Sequence, residues 1–123
     1  MSTSNNIIKE KKLESLSPQE RLILKKNGAY HVVRAADILY VESSGNYVNI
    51  ISQNNKFIYR STLKSFLKRL DPNTFYRIHR CTVVNIDYIK KIKTSAYGDY
   101  EVELVDNTIL KMTRNYRDMF HLY

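Results

Sequence analysis

The deciding stretch of this sequence is Phe75-Tyr76-Arg77-Ile78-His79-Arg80-Cys81-Thr82-Val83-Val84-Asn85. Its apolar residues recur with the rhythm of a buried β-strand, which predicts that the run forms a strand. Three donor-rich side chains, Arg77, His79 and Arg80, interrupt that rhythm. A strand that serves only packing has little use for such a cluster, whereas a surface that binds phosphates and base edges needs it.

Short apolar or alternating runs, separated by turn residues, lie on both sides of this stretch. Asn27-Gly28 predicts a hairpin turn, and Asn54-Asn55 separates two runs that pair naturally. Such strands, with turns about every 8 to 12 residues, indicate an all-β domain. The other predicted strands are the runs 22–24, 30–33, 38–41, 47–51, 56–60, 89–93, 100–104 and 108–112.

One helix is predicted near residues 62–70. Ser61 or Thr62 can cap its first turn, and Asp71-Pro72 ends it, because the residue before proline is disfavoured in the α conformation. A second short helix is predicted within residues 113–123. The fold class is therefore mainly β, with short antiparallel sheets packed together. The apolar stripe of the first helix consists of Leu63, Phe66, Leu67 and Leu70.

The 123 residues are enough for one domain with a modest core. We divide the chain into a polar N-terminal tail or linker, residues 1–19, and a folded domain, residues 20–123. The net charge of +8 is concentrated, because residues 56–93 contain ten basic and two acidic residues and the remainder ten of each. This predicts a surface that binds a polyanion, with a merely solvated charged face as an equal alternative.

Enzyme and cofactor chemistry have little support in the sequence. His79 and Cys81 could share one face of a strand, but no third group to orient them and no anion hole is evident. The three histidines and single cysteine lack metal-ligand spacing, and no glycine-rich phosphate loop occurs. We therefore predict no catalysis, no metal and no cofactor.

The sequence also predicts where the protein works. A single cysteine fits a reducing compartment. Neither an apolar run of about 18 residues, as a membrane span requires, nor a signal peptide is evident. We predict a cytoplasmic protein that has no membrane partner.

Nucleic-acid binding fits three separated groups, each at a strand end or turn: Asn46-Tyr47, His79-Arg80 and Arg114-Asn115. Arginine matches phosphates and the guanine edge, and asparagine matches adenine. A folded sheet could bring these groups together. Structural alternatives stay open, namely Asn46 as a turn residue, Tyr47 as a half-buried strand aromatic, His79 as a hydrogen-bonded core histidine and Arg114 as a helix cap.

Seven short motifs are more specific in their order and spacing than any one of them alone. They are Ile38–Glu42, Gly45–Val48, Thr62–Lys64 leading to Leu70, Phe75–Arg80, Val83–Asn85, Gly98–Tyr100 and Thr113–Arg117. With them, the chain from about Arg21 to about Phe120 resembles LytTR-type DNA-binding domains, the output domains of many bacterial response regulators. Cys81 departs from the usual serine of that pattern, and Thr113 also replaces a serine but keeps the hydroxyl.

The resemblance implies short packed sheets with one short helix, and loops rather than a recognition helix in the DNA grooves. Arg77 is assigned either a phosphate contact or an ion pair. By this resemblance the base-proximal residues are Asn46, Tyr47, His79, Arg80 and Arg114, and the phosphate contacts are Arg60, Lys64 and Asn115.

The predicted function is sequence-specific binding of double-stranded DNA in transcription regulation. The resemblance implies that this regulation is bacterial and that the target consists of paired direct repeats. No segment could form a receiver domain, so the chain is expected to act alone or as the output part of a longer regulator, with a receiver or sensor as partner. The alternative is a protein-interaction module whose basic face binds an acidic partner. A weaker third is RNA binding, in which Tyr47, Tyr59 and Tyr76 could stack on unpaired bases.

Overall fold

The computed structural model describes residues 18–123, so nearly all of the predicted tail, residues 1–19, lies outside the described part. Within this described range, four short 3-10 helices accompany the regular elements, at Ala35–Asp37, Ile86–Tyr88, Ala96–Gly98 and Arg114–Phe120. The regular elements are β1 (Arg21–Lys26), β2 (Ala29–Arg34), β3 (Ile38–Ser44), β4 (Tyr47–Ser52), β5 (Lys56–Arg60), α1 (Leu63–Leu67), β6 (Phe75–His79), β7 (Thr82–Asn85), β8 (Ile89–Thr94), β9 (Tyr100–Leu104) and β10 (Ile109–Met112).

The strands of residues 18–123 form three antiparallel sheets, which confirms the predicted fold class. The central sheet has the order β5-β4-β3-β7-β6, with β1-β2 and β10-β9-β8 as two smaller sheets. The predicted Asn27-Gly28 turn joins β1 to β2, and both of its residues take the positive φ that a tight hairpin turn requires.

The central sheet is buried on both faces. Val83 and Val84 are neighbours on β7, both fully buried, and they belong to two different hydrophobic clusters because successive strand residues point to opposite faces. The first cluster packs the sheet against β1-β2 and α1. The second packs it against β8-β9-β10 and the C-terminal 3-10 helix. The central strands are thereby packed on both faces.

Both predicted helices are present, in shorter or tighter form. The Thr62 side chain accepts a hydrogen bond from the Ser65 N–H at 3.1 Å, as an N-cap does, and Leu63 and Phe66 are buried. The C-terminal segment forms a 3-10 helix, Arg114–Phe120, which packs against the second cluster through residues that include Tyr116 and Phe120.

The deciding stretch is a hairpin, so the prediction of one strand was wrong. It consists of β6, a turn at Arg80-Cys81, and β7. The register shifts between Arg77 and His79, which makes Ile78 an extra residue on β6. The turn was missed because it contains no glycine, proline, asparagine or aspartate, and because Val83 and Val84, buried on opposite faces, hide the strand alternation.

Asn85 fixes the end of this hairpin that is remote from the turn. Its side chain is fully buried, and its Nδ2 donates to the carbonyls of Ile38 at 2.9 Å and Ala36 at 3.3 Å. Its Oδ1 accepts from the Asp87 N–H at 2.9 Å. One buried amide therefore joins the start of β3 to the 3-10 turn after β7.

Candidate nucleic-acid interface

One end of the central sheet brings together three loops that are distant in sequence. The Ser43 N–H donates to the Cys81 carbonyl at 2.8 Å, which places the β3–β4 turn beside the β6–β7 turn. The Thr113 N–H donates to the Ile78 carbonyl at 3.0 Å, which places the segment after β10 beside the end of β6. The three groups predicted from the sequence therefore lie at one end of the molecule.

The predicted phosphate contacts adjoin this end. Arg60 is paired in register with Tyr47 at the end of β5, and the Ser61 N–H donates to the Asn46 carbonyl at 3.1 Å. Lys64 follows in the first turn of α1. Of the eight predicted residues, His79 is half-buried and the rest are exposed: Asn46, Tyr47, Arg60, Lys64, Arg80, Arg114 and Asn115.

The β3–β4 turn is formed by Gly45 and Asn46. Gly45 takes φ +59°, which glycine adopts without strain, and a first turn residue of positive φ is what a two-residue hairpin turn of type II′ requires. Asn46 is thus a turn residue, as one alternative held, but its side chain is exposed at the turn. Tyr47 begins β4 and is 46% exposed, so it is not a packing residue of the core.

The His79 side chain forms a hydrogen bond across the β6–β7 turn. Its Nδ1 accepts a hydrogen bond from the Cys81 N–H at 3.1 Å. A neutral imidazole that accepts at Nδ1 carries its hydrogen on Nε2, so the other edge of the ring is a donor. The alternative prediction, a hydrogen-bonded core histidine, is right about the hydrogen bond to the backbone. It is wrong about the position, because His79 lies half-buried at a turn and not in the core.

Arg77 lacks one of its two predicted partners, an acidic side chain, among the described residues. It forms no ion pair there, and its guanidinium donates to the carbonyls of His79 and Arg80. The Nε–O distance to His79 is 3.2 Å. Sequence reasoning missed this role because it depends on the turn at Arg80-Cys81.

Asp99 was also missed as a site residue. Its carboxylate accepts a hydrogen bond from the backbone N–H of Arg114 at 3.2 Å and forms an ion pair with Lys111 at 3.6 Å. The neighbouring Gly98 has φ +80°, and a Cβ there would lie 3.6 Å from Cδ of Arg114. The only signal in the sequence is that Gly98 and Asp99 belong to one of the seven motifs.

The structure shows that some basic residues of the patch predicted from composition lie beside acidic side chains. Lys90 and Lys91 form ion pairs with Glu103 at 3.6 and 3.7 Å, and Lys93 lies opposite Glu101 across β8 and β9. In contrast, the four basic residues predicted to contact DNA form no ion pair among residues 18–123. These residues are Arg60, Lys64, Arg80 and Arg114.

A groove of about 460 Å³ lies at the opposite end of the central sheet. Its lining includes Arg21 and Arg34, but also the carboxylates of Glu20, Asp71 and Asp87. Because three acids outnumber two bases there, this groove does not fit a polyanion, and the end that carries Arg80 and Arg114 does.

Comparison with known families now decides the assignment. Residues 28–122 match the family of the LytTr DNA-binding domain. The chain belongs to the LytTR family. This agrees with the resemblance carried by the seven motifs and with the three loops at one end of the sheet.

Other LytTR proteins show how much of a regulator this chain corresponds to. It is 30% identical to an uncharacterized response regulatory protein of Vibrio cholerae, covering 90% of this chain and 44% of that protein. It is 29% identical to the sensory transduction protein LytT of Bacillus subtilis, covering 91% of this chain and 46% of LytT. The transcriptional regulatory protein NatR of Bacillus subtilis is 26% identical, with 92% of this chain and 49% of NatR covered. The chain thus spans about half the length of these relatives.

A solved LytTR structure supports the fold. The LytTr DNA-binding domain of a response regulator from Bacillus cereus superposes with a TM-score of 0.76 at 19% identity, covering 83% of this chain and 94% of that one. Among the described residues of the present LytTR chain, no helix is long and apolar enough to cross a membrane.

Proposed function

We propose that this LytTR domain binds double-stranded DNA sequence-specifically and acts in bacterial transcription regulation. The observation that carries the proposal is the convergence of three exposed loops, bearing Asn46, His79-Arg80 and Arg114, at one end of the central sheet. Four basic residues without ion pairs among residues 18–123 surround or belong to these loops. An arrangement of this kind supplies both phosphate contacts and base contacts.

We assign base contacts to the loops and phosphate contacts to their surroundings. The turns after β3 and β6 lie on neighbouring strands, β3 and β7 being paired. Paired strands are about 5 Å apart, and a major groove about 12 Å wide admits a two-stranded ribbon. The base-contact group is Asn46, Tyr47, His79, Arg80 and Arg114, and the phosphate group is Arg60, Lys64 and Asn115.

A recognition helix is not part of the proposal. α1 has five residues, and both Leu63 and Phe66 on it are buried in the first cluster. The C-terminal 3-10 helix is occupied in packing through Tyr116 and Phe120. In the part of the chain described, exposed turns are therefore better placed than helices to enter a groove.

The cellular role is proposed from the names of the relatives. They are described as response regulatory, sensory transduction and transcriptional regulatory proteins, and this chain spans about half of each. We propose a binding function rather than catalysis, in the cytoplasm, with residues 20–123 as the DNA-binding domain and residues 1–19 as a linker or tail. Paired direct repeats are the proposed target, and a receiver domain or sensor the proposed partner.

Selection from a pool of random double-stranded DNA tests the proposal. Immobilised protein should enrich a consensus, and the spacing between repeated half-sites in that consensus reports whether two domains bind in tandem. The matched control is the double variant Arg80→Ala/Arg114→Ala, which should recover no such motif. Failure of the unaltered protein to enrich any motif would contradict DNA recognition and favour an acidic protein partner for the basic face.

A further inference from the structure

Arg77 bonds to the turn that carries His79 and Arg80. It lies on β6, half-buried, and its Nε donates to the His79 carbonyl at 3.2 Å while its Nη2 donates to the Arg80 carbonyl. Both acceptors are main-chain atoms of successive residues. A planar guanidinium can donate to two such acceptors at once because its N–H groups have fixed directions.

Together with two main-chain hydrogen bonds, the Arg77 bonds give a donor to each of four consecutive carbonyls in the hairpin. The Ile78 carbonyl accepts from the Thr113 N–H at 3.0 Å, and the Cys81 carbonyl accepts from the Ser43 N–H at 2.8 Å. Arg77 serves the two carbonyls between them. Four consecutive carbonyls, from Ile78 to Cys81, therefore have donors, and one side chain supplies two of the four.

The β6–β7 turn depends on these hydrogen bonds because its own residues do not favour a tight turn. Arg80-Cys81 contains none of the residues that stabilise tight turns by their own backbone preferences. The strand register shifts between Arg77 and His79, so the regular ladder is interrupted where the turn begins. Side-chain hydrogen bonds of Arg77 and His79 therefore hold the main chain of the turn, since Arg77 donates to the Arg80 carbonyl and His79 accepts from the Cys81 N–H.

We propose that Arg77 is a positioning residue for DNA recognition: it holds the His79-Arg80 turn in its binding conformation and does not itself contact DNA. This inference rests on the proposed function, which is DNA binding by the end of the central sheet where the three loops meet. With Nε and Nη2 directed at the turn, the guanidinium edge that carries both is not free for a bidentate contact to phosphate or guanine.

The decisive variant is Arg77→Lys, which keeps the charge but has no planar fork. We expect its affinity for the selected site to fall roughly tenfold or more, since two hydrogen bonds of the turn are lost. Affinity for random DNA and the salt dependence of binding should stay close to those of the unaltered protein. Arg34→Lys is the matched control, because Arg34 is an exposed arginine beside the groove at the opposite end.

A phosphate contact would behave differently. Lysine replaces arginine adequately at a phosphate, so Arg77→Lys would then bind the site like the unaltered protein. Arg77→Met would weaken site and random DNA alike and reduce the slope of log affinity against log salt by about 0.9. Either result would overturn the inference. If the unaltered protein selects no site at all, the proposed function fails instead.

A measurement on the unaltered protein guards against variants that fail to fold. In a ¹⁵N NMR spectrum, the Arg77 Nε–H should exchange slowly with solvent in the free protein and keep its chemical shift when the selected DNA is added. Rapid exchange in the free protein, or a large shift on DNA addition while the Cys81 amide stays unchanged, would contradict a positioning role.

Discussion

The Asp99 carboxylate accepts a hydrogen bond from the Arg114 backbone N–H at 3.2 Å and joins two segments that are 15 residues apart. Asp99 also forms an ion pair with Lys111 at 3.6 Å, where the lysine side chain is 63% exposed. An exposed ion pair contributes little, so the bond to Arg114 is the more important of the two. It holds Arg114, the first residue of the C-terminal 3-10 helix, against the loop between β8 and β9.

Asp99→Ala should lower the ratio of specific to non-specific DNA affinity by a factor of about 2 to 10, the range for one lost hydrogen bond. Random DNA should bind no more weakly, since a negative charge near the phosphates is removed. Asp99→Asn is the control, because it keeps an oxygen acceptor for the Arg114 N–H and should retain most of the ratio. Fluorescence anisotropy with the selected site and a scrambled duplex measures both quantities. Equal ratios in all three proteins would refute a role for this bond.

Arg80→Ala and Arg114→Ala should each cost about 1 to 3 kcal/mol at the selected site and broaden base preference at one position. Both side chains are exposed, so the midpoint of thermal unfolding should change little. Arg34→Ala removes an exposed arginine at the opposite end and should leave affinity unchanged. A loss shared equally by all three variants would indicate a general charge effect and not base contacts.

Lys64→Ala should weaken binding to every DNA sequence to a similar degree. If roughly five phosphates are neutralised, log affinity should fall with log salt at a slope of about −4.5, and this variant should reduce the slope by about 0.9. Lys90→Ala is the control, because Lys90 is already paired with Glu103 at 3.6 Å and lies on β8. Titrations at four salt concentrations suffice. An unchanged slope for Lys64→Ala would exclude its phosphate contact.

Ionisation of the Tyr40 hydroxyl should lower the free energy of unfolding at alkaline pH. Burial raises the pKa of its hydroxyl above the ordinary value of 10.0, and the carboxylates of Glu42 and Asp106 raise it further. Above that ordinary value the unfolded chain loses this proton before the folded chain does, so the folded state binds more protons and the free energy of unfolding falls as pH rises. The loss begins near the ordinary value and continues up to the raised pKa of the folded state.

Tyr40→Phe should abolish this contribution. Urea denaturation at neutral pH and at several values above the ordinary tyrosine pKa compares the two proteins. The variant should lose less stability over that interval, and Tyr123→Phe, which changes an exposed terminal tyrosine, should behave like the unaltered protein. A parallel loss in all three would show that Tyr40 does not couple folding to pH.

Asn85→Ala should reduce the free energy of unfolding by about 2 to 3 kcal/mol, because it removes one buried and two part-buried hydrogen bonds to backbone groups. Those backbone groups are the carbonyls of Ala36 and Ile38 and the N–H of Asp87. The exposed Asn54 offers a control, since Asn54→Ala should change stability by less than about 0.5 kcal/mol. Chemical denaturation measures the free energy of unfolding of the two variants. Equal values would contradict the structural role of the Asn85 side chain.

Local patterns account for most of the predicted fold. Asn27 and Gly28 take φ of +52° and +78°, so their hairpin turn follows from the preferences of two adjacent residues. α1 likewise follows from its cap at Thr62 and its apolar spacing. The β6–β7 turn could not be predicted in this way, because its conformation comes from Arg77 and His79 side chains and not from Arg80 and Cys81 themselves.

The amino-acid sequence is enough to predict the β class, the capped helix near residues 62–70, the motif order of the LytTR family and the excess of basic residues. The folded structure is needed to tell which basic residues keep an uncompensated charge: Lys90 and Lys91 pair with Glu103 across two strands, whereas Arg80 and Arg114 have no such partner among residues 18–123. It also decided that three distant loops share one end of the sheet. The physical reason is that alternation and turn preference act between near neighbours, while register and sheet order depend on pairing between residues far apart in the chain.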